Sequence, residues 1–217
     1  PTLSPLGNTQ SALEILSEKC LLNLIPENIK NFLMAGASKQ QGKDGINHLI
    51  GDNKESVRAS AKALGSDFST FVEDEPLVGD VNEAAAIIYQ KLKQVELNDK
   101  PTAIVWGGET TVKINGNGVG GRNQELALIV AKLAYECPVD KSWAFLSAGT
   151  DGRDGPTEAA GAIIDQETCT RILQSGHKTD DFLRENNSNA ALKISNDLLH
   201  TGATGTNVAD VQILVVS

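Results

Sequence analysis

The sequence predicts an α/β fold: a mostly parallel sheet flanked by helices in the doubly wound manner, preceded by a short helical lead. Three features carry that prediction. From Ile46 onward, short apolar runs alternate with stretches of helical periodicity, and strands spaced by helices imply βαβ crossovers and a parallel sheet. The chain has 217 residues, 40% hydrophobic and 22% charged, an ordinary globular balance with enough length for a full core. Glycine-bearing loops follow the runs ending at Ile50, Trp106 and Ser147, and the carboxyl ends of parallel strands are where such sheets hold ligands.

In chain order, residues 1–42 read as a loop and two short amphipathic helices, Ala12 to Leu22 and Glu27 to Met34, running into a polar linker from Gly36 to Gly45. This lead is expected to lean on something else. Residues 43–217 form the α/β domain. His48-Leu49-Ile50 reads as a strand entering a helix near Lys54 to Leu64. Phe68 to Val72 is a second strand, followed by a helix with apolar residues at Ala84, Ile87, Ile88 and Val95. Thr102 to Trp106 and Trp143 to Ser147 are further strands, with adjacent ends and a long helix between them. Past Gly161 come an apolar run at Ala162 to Ile164, two or three short helices, and a closing strand from Val211 to Val216.

Composition narrows the function. A formal charge of −9 without a basic run argues against nucleic acid as a partner. No apolar stretch approaches the roughly 18 residues needed to cross a bilayer. Cys20, Cys137 and Cys169 are scattered and odd in number, which fits a reducing, cytoplasmic setting rather than a disulfide framework or a thiolate metal site. The opening Pro1-Thr2-Leu3-Ser4-Pro5 carries neither Met nor a signal pattern, so the chain is expected to be cut from something longer. His48, His177 and His200 cluster neither with one another nor with cysteine, and read as strand or surface residues.

Three loops hold the candidate chemistry. The first runs from Gly107-Gly108-Glu109 through Gly116-Asn117-Gly118-Val119-Gly120-Gly121 to Arg122-Asn123 and opens a helix whose apolar residues Leu126, Ile129, Val130, Leu133 and Ala134 fall on one face. A glycine-rich turn at a helix N-terminus offers free N–H groups to an anion, and an arginine there can fork onto two oxygens. The same glycines satisfy a dinucleotide-type GxGxxG or, alternatively, mere turn geometry. The second loop, Gly149-Thr150-Asp151-Gly152-Arg153-Asp154-Gly155, presents two carboxylates suited to Mg²⁺ or to proton abstraction, or to ordinary turn and capping work. The third, Thr201-Gly202-Ala203-Thr204-Gly205-Thr206-Asn207, could surround a ligand or simply turn into the last strand.

Together these segments, in order and spacing, resemble the MOFRL region of the glycerate 2-kinases, with the closest likeness over residues 101–217. Gly51-Asp52-Asn53 and Gly79-Asp80-Val81 look like the stretch that family places upstream. Ala203 stands where the family usually has proline, and Asp52 where it has a small polar residue. The resemblance implies transfer of the ATP γ-phosphoryl group to D-glycerate with Mg²⁺. The partners implied are glycerate, ATP and an N-terminal domain that this chain lacks, without which turnover is not expected; homo-oligomerisation is allowed. Arg122 is assigned to the phosphoryl or glycerate anion, and Asp151 to base or metal work. Gly107, Gly108, Glu109, Gly120, Gly121, Asn123, Thr150, Asp154, Thr206 and Asn207 are assigned to the substrate and nucleotide cleft. An NAD(P)-dependent hydroxypyruvate reductase and a non-catalytic ligand-binding or interaction domain are the competing readings.

Overall fold

A computed structural model describes residues 7–36, 48, 50–97 and 100–217. The opening segment at Pro1, most of the linker expected between Gly36 and Gly45, and Leu49 of the expected first strand lie outside the described residues. The chain divides into two compact units, Pro1–Ile50 and Gly51–Ser217; the boundary expected from sequence was between residues 42 and 43.

In the first unit, α1 (Thr9–Glu18) opens with a capping box in which Asn8 and Ser11 satisfy each other's backbone N–H groups, removing orphan donors that a helix start otherwise leaves. Helix α2 (Glu27–Ala35) begins after Pro26 and stops at Gly36, whose φ of 70 suits glycine. No residue of either helix is buried, and Phe32 and Met34 are exposed.

The second unit is a seven-stranded sheet in the order β1-β3-β7-β4-β5-β6, with β2 also on β3. The strands are β1 (Ser69–Val72), β2 (Leu77–Asp80), β3 (Thr102–Thr111), β4 (Trp143–Gly149), β5 (Gly161–Asp165), β6 (Leu198–Leu199) and β7 (Asp210–Val216). β1 and β2 run parallel to the two halves of β3. β7 lies antiparallel between β3 and β4, β5 antiparallel to β4, and β6 antiparallel to β5. Thus β1, β2, β3, β4 and β6 share one direction, as a mostly parallel sheet requires, while β5 and β7 oppose them. The expected neighbours β3 and β4 are not paired, because β7 enters between them. Their carboxyl ends still lie on the same edge.

Alternation along the strands sends side chains to two helical layers. Ile104, Trp106, Phe145, Ile164 and Leu214 pack beneath α4 (Val81–Val95), α5 (Arg122–Glu136), α6 (Thr168–Gln174) and α8 (Ser188–Ser195). On the opposite face Val105, Val211 and Ile213 meet Val57 and Ala61 of α3 (Asn53–Ala63). The short α7 (Thr179–Arg184) precedes α8. Sequence periodicity gives α5 one apolar face, yet residues Asn123 to Ala131 are all buried. α5 is therefore a central helix with polar side chains enclosed at its start.

Candidate functional site

Asp210 is the pivot. It opens β7 opposite both Gly108 of β3 and Gly149 of β4, so two strand ends converge on it, and its side chain is fully buried. A buried carboxylate requires a partner, and Arg122, the first residue of α5, supplies it. Arg122 Nε donates to Asp210 Oδ2 at 2.7 Å and Nη2 to Oδ1 at 2.9 Å. Nη2 also lies 3.3 Å from Glu109 Oε1. The hydrogen bonds that it donates to Asp210 hold the guanidinium above its ordinary range. The fork that sequence assigned to a substrate anion is thus engaged along its Nε edge by the protein's own carboxylate, with the side chain still 34% exposed. Asp210 was not among the residues that sequence assigned to the site. Asn53 of α3 fixes the same spot, donating through Nδ2 to the carbonyls of Val208 and Asp210, both at 2.8 Å.

The α5 N-terminus does attract an anion, but that anion is Asp154. Its carboxylate accepts the backbone N–H groups of Asn123 and Gln124 at 3.2 and 2.9 Å and the side-chain amides of both residues. Asp154 caps α5 from a distant loop, doing what Gly121, the N-cap residue, has no side chain to do. A Cβ on Gly121 would collide with that carboxylate. Burial pushes the Asp154 carboxyl up, against the pull of its four donors. Asn123, expected in the cleft, is buried and also accepts from Ser147 Oγ at 2.7 Å. Asp154 and Asn123 are therefore internal supports and not cleft residues.

The glycine-rich loop is packed, not open. The N–H groups of Asn115 and Gly116 donate to Asn186 Oδ1, that of Gly118 to the Glu185 carbonyl and that of Val119 to Asn187 Oδ1. Side chains at Gly116, Gly118 or Gly120 would strike Glu185, Asn187 or Ser188. These four donors are spent inside the protein, so none of them is left to hold a phosphate or the pyrophosphate that a GxGxxG reading requires. Asn186 also donates to Glu125, whose carboxyl is pushed up by burial. Gly107 and Gly108, expected in a loop, belong to β3; a Cβ on Gly108 would overlap the Leu77 backbone of β2.

Asp151 sits apart from Asp154 and is only half-buried. Its Oδ1 accepts the Arg153 N–H at 3.0 Å and its Oδ2 faces Asn207 Nδ2 at 3.4 Å. Thr150 ties this loop to the third one, donating to the Ala209 carbonyl at 2.7 Å and accepting the Val208 N–H at 2.9 Å. Thr206 lies in the same exposed loop, its N–H directed to Thr204 Oγ1. Glu109, Arg122, Thr150, Asp151 and Asn207 are all anchored within a few residues of Asp210 along one sheet edge. Among the described residues no group of three or more His, Cys, Asp or Glu side chains is placed to hold a metal ion. Gln212, one step along the same face of β7, is fully buried with neither side-chain polar atom partnered.

The model of the MOFRL family matches residues 102–210, half of the chain. The chain belongs to the MOFRL family. This MOFRL protein is 38% identical to the D-glycerate 2-kinase of Thermotoga maritima over 95% of its own length and 49% of that relative's. It is 32% identical to the glycerate 2-kinase of Pyrococcus horikoshii over its full length and 51% of the relative's. The crystal structure of the Thermotoga maritima glycerate kinase superposes with a TM-score of 0.78 at 36% identity, covering 97% of this chain and 51% of that one. The MOFRL chain thus spans about half the length of the curated relatives it matches. No helix among its described residues is long and apolar enough to cross a membrane.

Proposed function

We propose that this chain supplies the MOFRL-bearing half of a glycerate 2-kinase, which passes the ATP γ-phosphoryl group to D-glycerate and releases ADP and 2-phosphoglycerate. The observation that carries the reading is the meeting of Arg122 with Glu109 and the buried Asp210, with Asp151 and its partner Asn207 beside them around Gly149, in a chain similar to glycerate kinases along almost its whole length. Phosphoryl transfer asks mainly for positioning and for positive charge where negative charge develops. Arg122, fixed on one edge by Asp210, keeps an exposed portion for the transferring group or the glycerate carboxylate. Asp151, oriented by Asn207, accepts the glycerate hydroxyl proton or meets the metal.

Mg²⁺ fits this donor set in one way. With a single well-placed carboxylate, the chain can hold a cation whose remaining oxygens come from ATP, which is how Mg²⁺ commonly binds. Asp151 would contact it, and the ion would neutralise phosphate charge. A site built from such partial contributions is incomplete in one half of the enzyme. The test is a coupled ADP-release assay on the purified chain, alone and joined to the half of a relative that it does not span. Glycerate-dependent turnover is expected only in the joined form; turnover above roughly 1 s⁻¹ by the chain alone, the low end for kinases, would overturn the two-part site.

A further inference from the structure

On the α3 side of the sheet a cleft of about 480 Å³ opens between the start of α3, the β1–β2 segment and residues 107–109 of β3. That volume is in the usual range for a small-molecule site, about 300–1,000 Å³. Its walls include Val57, Val72, Pro76 and Val78. Val72 and Val78 are 44% and 62% exposed although strand valines gain most from being covered. The cleft lies at the carboxyl end of β1, with Glu73 and Asp74 on its rim, the end at which α/β sheets take ligands.

The rim does not suit a polyanion. Arg58 is paired with Glu55 at 2.6 Å and Glu73 with Lys91 at 2.7 Å, while Lys54 and Asp74 offset each other in sign. Apolar walls with carboxylate acceptors at the edge suit a flat ring that carries amino and hydroxyl donors. The cleft is also continuous with the site. Glu109 lines it and reaches Arg122, and Ala209, the residue before Asp210, lines it as well.

We infer that this cleft seats the adenosine end of the nucleotide, with the phosphate chain leaving past Glu109 toward Arg122. The inference rests on the kinase reading and adds where in this chain the uncharged end of the donor lies. The test is an amide-shift titration of the isotopically labelled chain with adenosine, ADP and D-glycerate. Adenosine and ADP should shift the amides of Val57, Val78 and Gly108, and D-glycerate should not. Val78→Arg should weaken both nucleoside ligands by about tenfold or more, as a charged side chain replaces an apolar wall, and Val78→Thr should keep binding. Because Val78 is exposed, neither variant should move the unfolding midpoint. Shifts confined to another surface, an unchanged Kd in Val78→Arg, or no adenosine binding in the millimolar range would overturn the cleft assignment. None of these would touch the kinase reading, which is decided separately by glycerate-dependent ADP release from the joined enzyme.

Discussion

Replacing Asp210 with Asn probes the pivot of the site. The substitution keeps the shape and removes the charge that Arg122 grips through hydrogen bonds of 2.7 and 2.9 Å. Removing one partner of a fully buried ion pair costs about 3–5 kcal/mol. Here Asp210 is fully buried but Arg122 is 34% exposed and keeps Glu109 at 3.3 Å, so solvent and the second carboxylate offset part of the loss. Asn also retains one acceptor, while its amide group faces guanidinium donors. A loss of about 2 kcal/mol follows, or about 4–8 °C in melting temperature for a unit of this size. Urea unfolding with an unchanged m-value would measure it, and a double-mutant cycle with Arg122→Met would isolate the pair term. A loss under about 0.5 kcal/mol, the range of an exposed surface pair, would refute the claim that Asp210 anchors Arg122.

Asp154→Ala strips the cap from α5 and orphans two buried N–H groups, so it should cost about 2 kcal/mol or more and speed hydrogen exchange at Asn123 and Gln124; normal protection there would contradict the capping role. Glu125 binds a proton more tightly in the folded than in the unfolded chain, because burial raises its carboxyl. Its charged form therefore penalises the native state above the folded value, and the penalty fades as pH falls through that value toward the ordinary glutamate range. Glu125→Gln should accordingly gain most, relative to the parent, at neutral pH and little near pH 4, as read from melting temperatures across that interval; a gain that grows toward acid would reverse the assigned sign. Gln212→Met replaces an unpartnered buried amide with an apolar chain of similar size and should stabilise by about 1–3 kcal/mol; no gain in urea midpoint would mean that the amide is satisfied in solution.

Local pattern made the alternation of strands and helices legible, and with it α3, α4, α5 and the cores of β1, β3, β4, β5 and β7. What it lost was set by contacts distant in sequence. Gly107-Gly108 reads as a break, yet β3 runs through it, paired with β2 and β7, and the glycines are there because Asn53 and Val57 of α3 and the Leu77 backbone of β2 leave no room for side chains. The order of strands was equally hidden: β7 enters between β3 and β4 from the far end of the chain. The three glycine-bearing loops named from sequence do meet at one edge, but the part each of their side chains takes was not legible. Only the fold reveals that Asp154 turns inward to α5 while Asp151 stays half-buried, or that Asn186 takes the N–H groups of Asn115 and Gly116.

The most direct measurement is kcat of the joined enzyme with Arg122 intact and with Arg122→Lys, taken alongside the unfolding midpoint. Lysine keeps the charge but cannot hold Asp210 through one planar edge while offering another to the reacting anion. If Arg122 stabilises charge that develops in the transition state, kcat should fall by about 100- to 1,000-fold, the cost of losing one such donor, beyond anything the change in midpoint explains. An unchanged kcat, or a fall accounted for by unfolding alone, would contradict the claim that this chain carries the phosphoryl-transfer arginine.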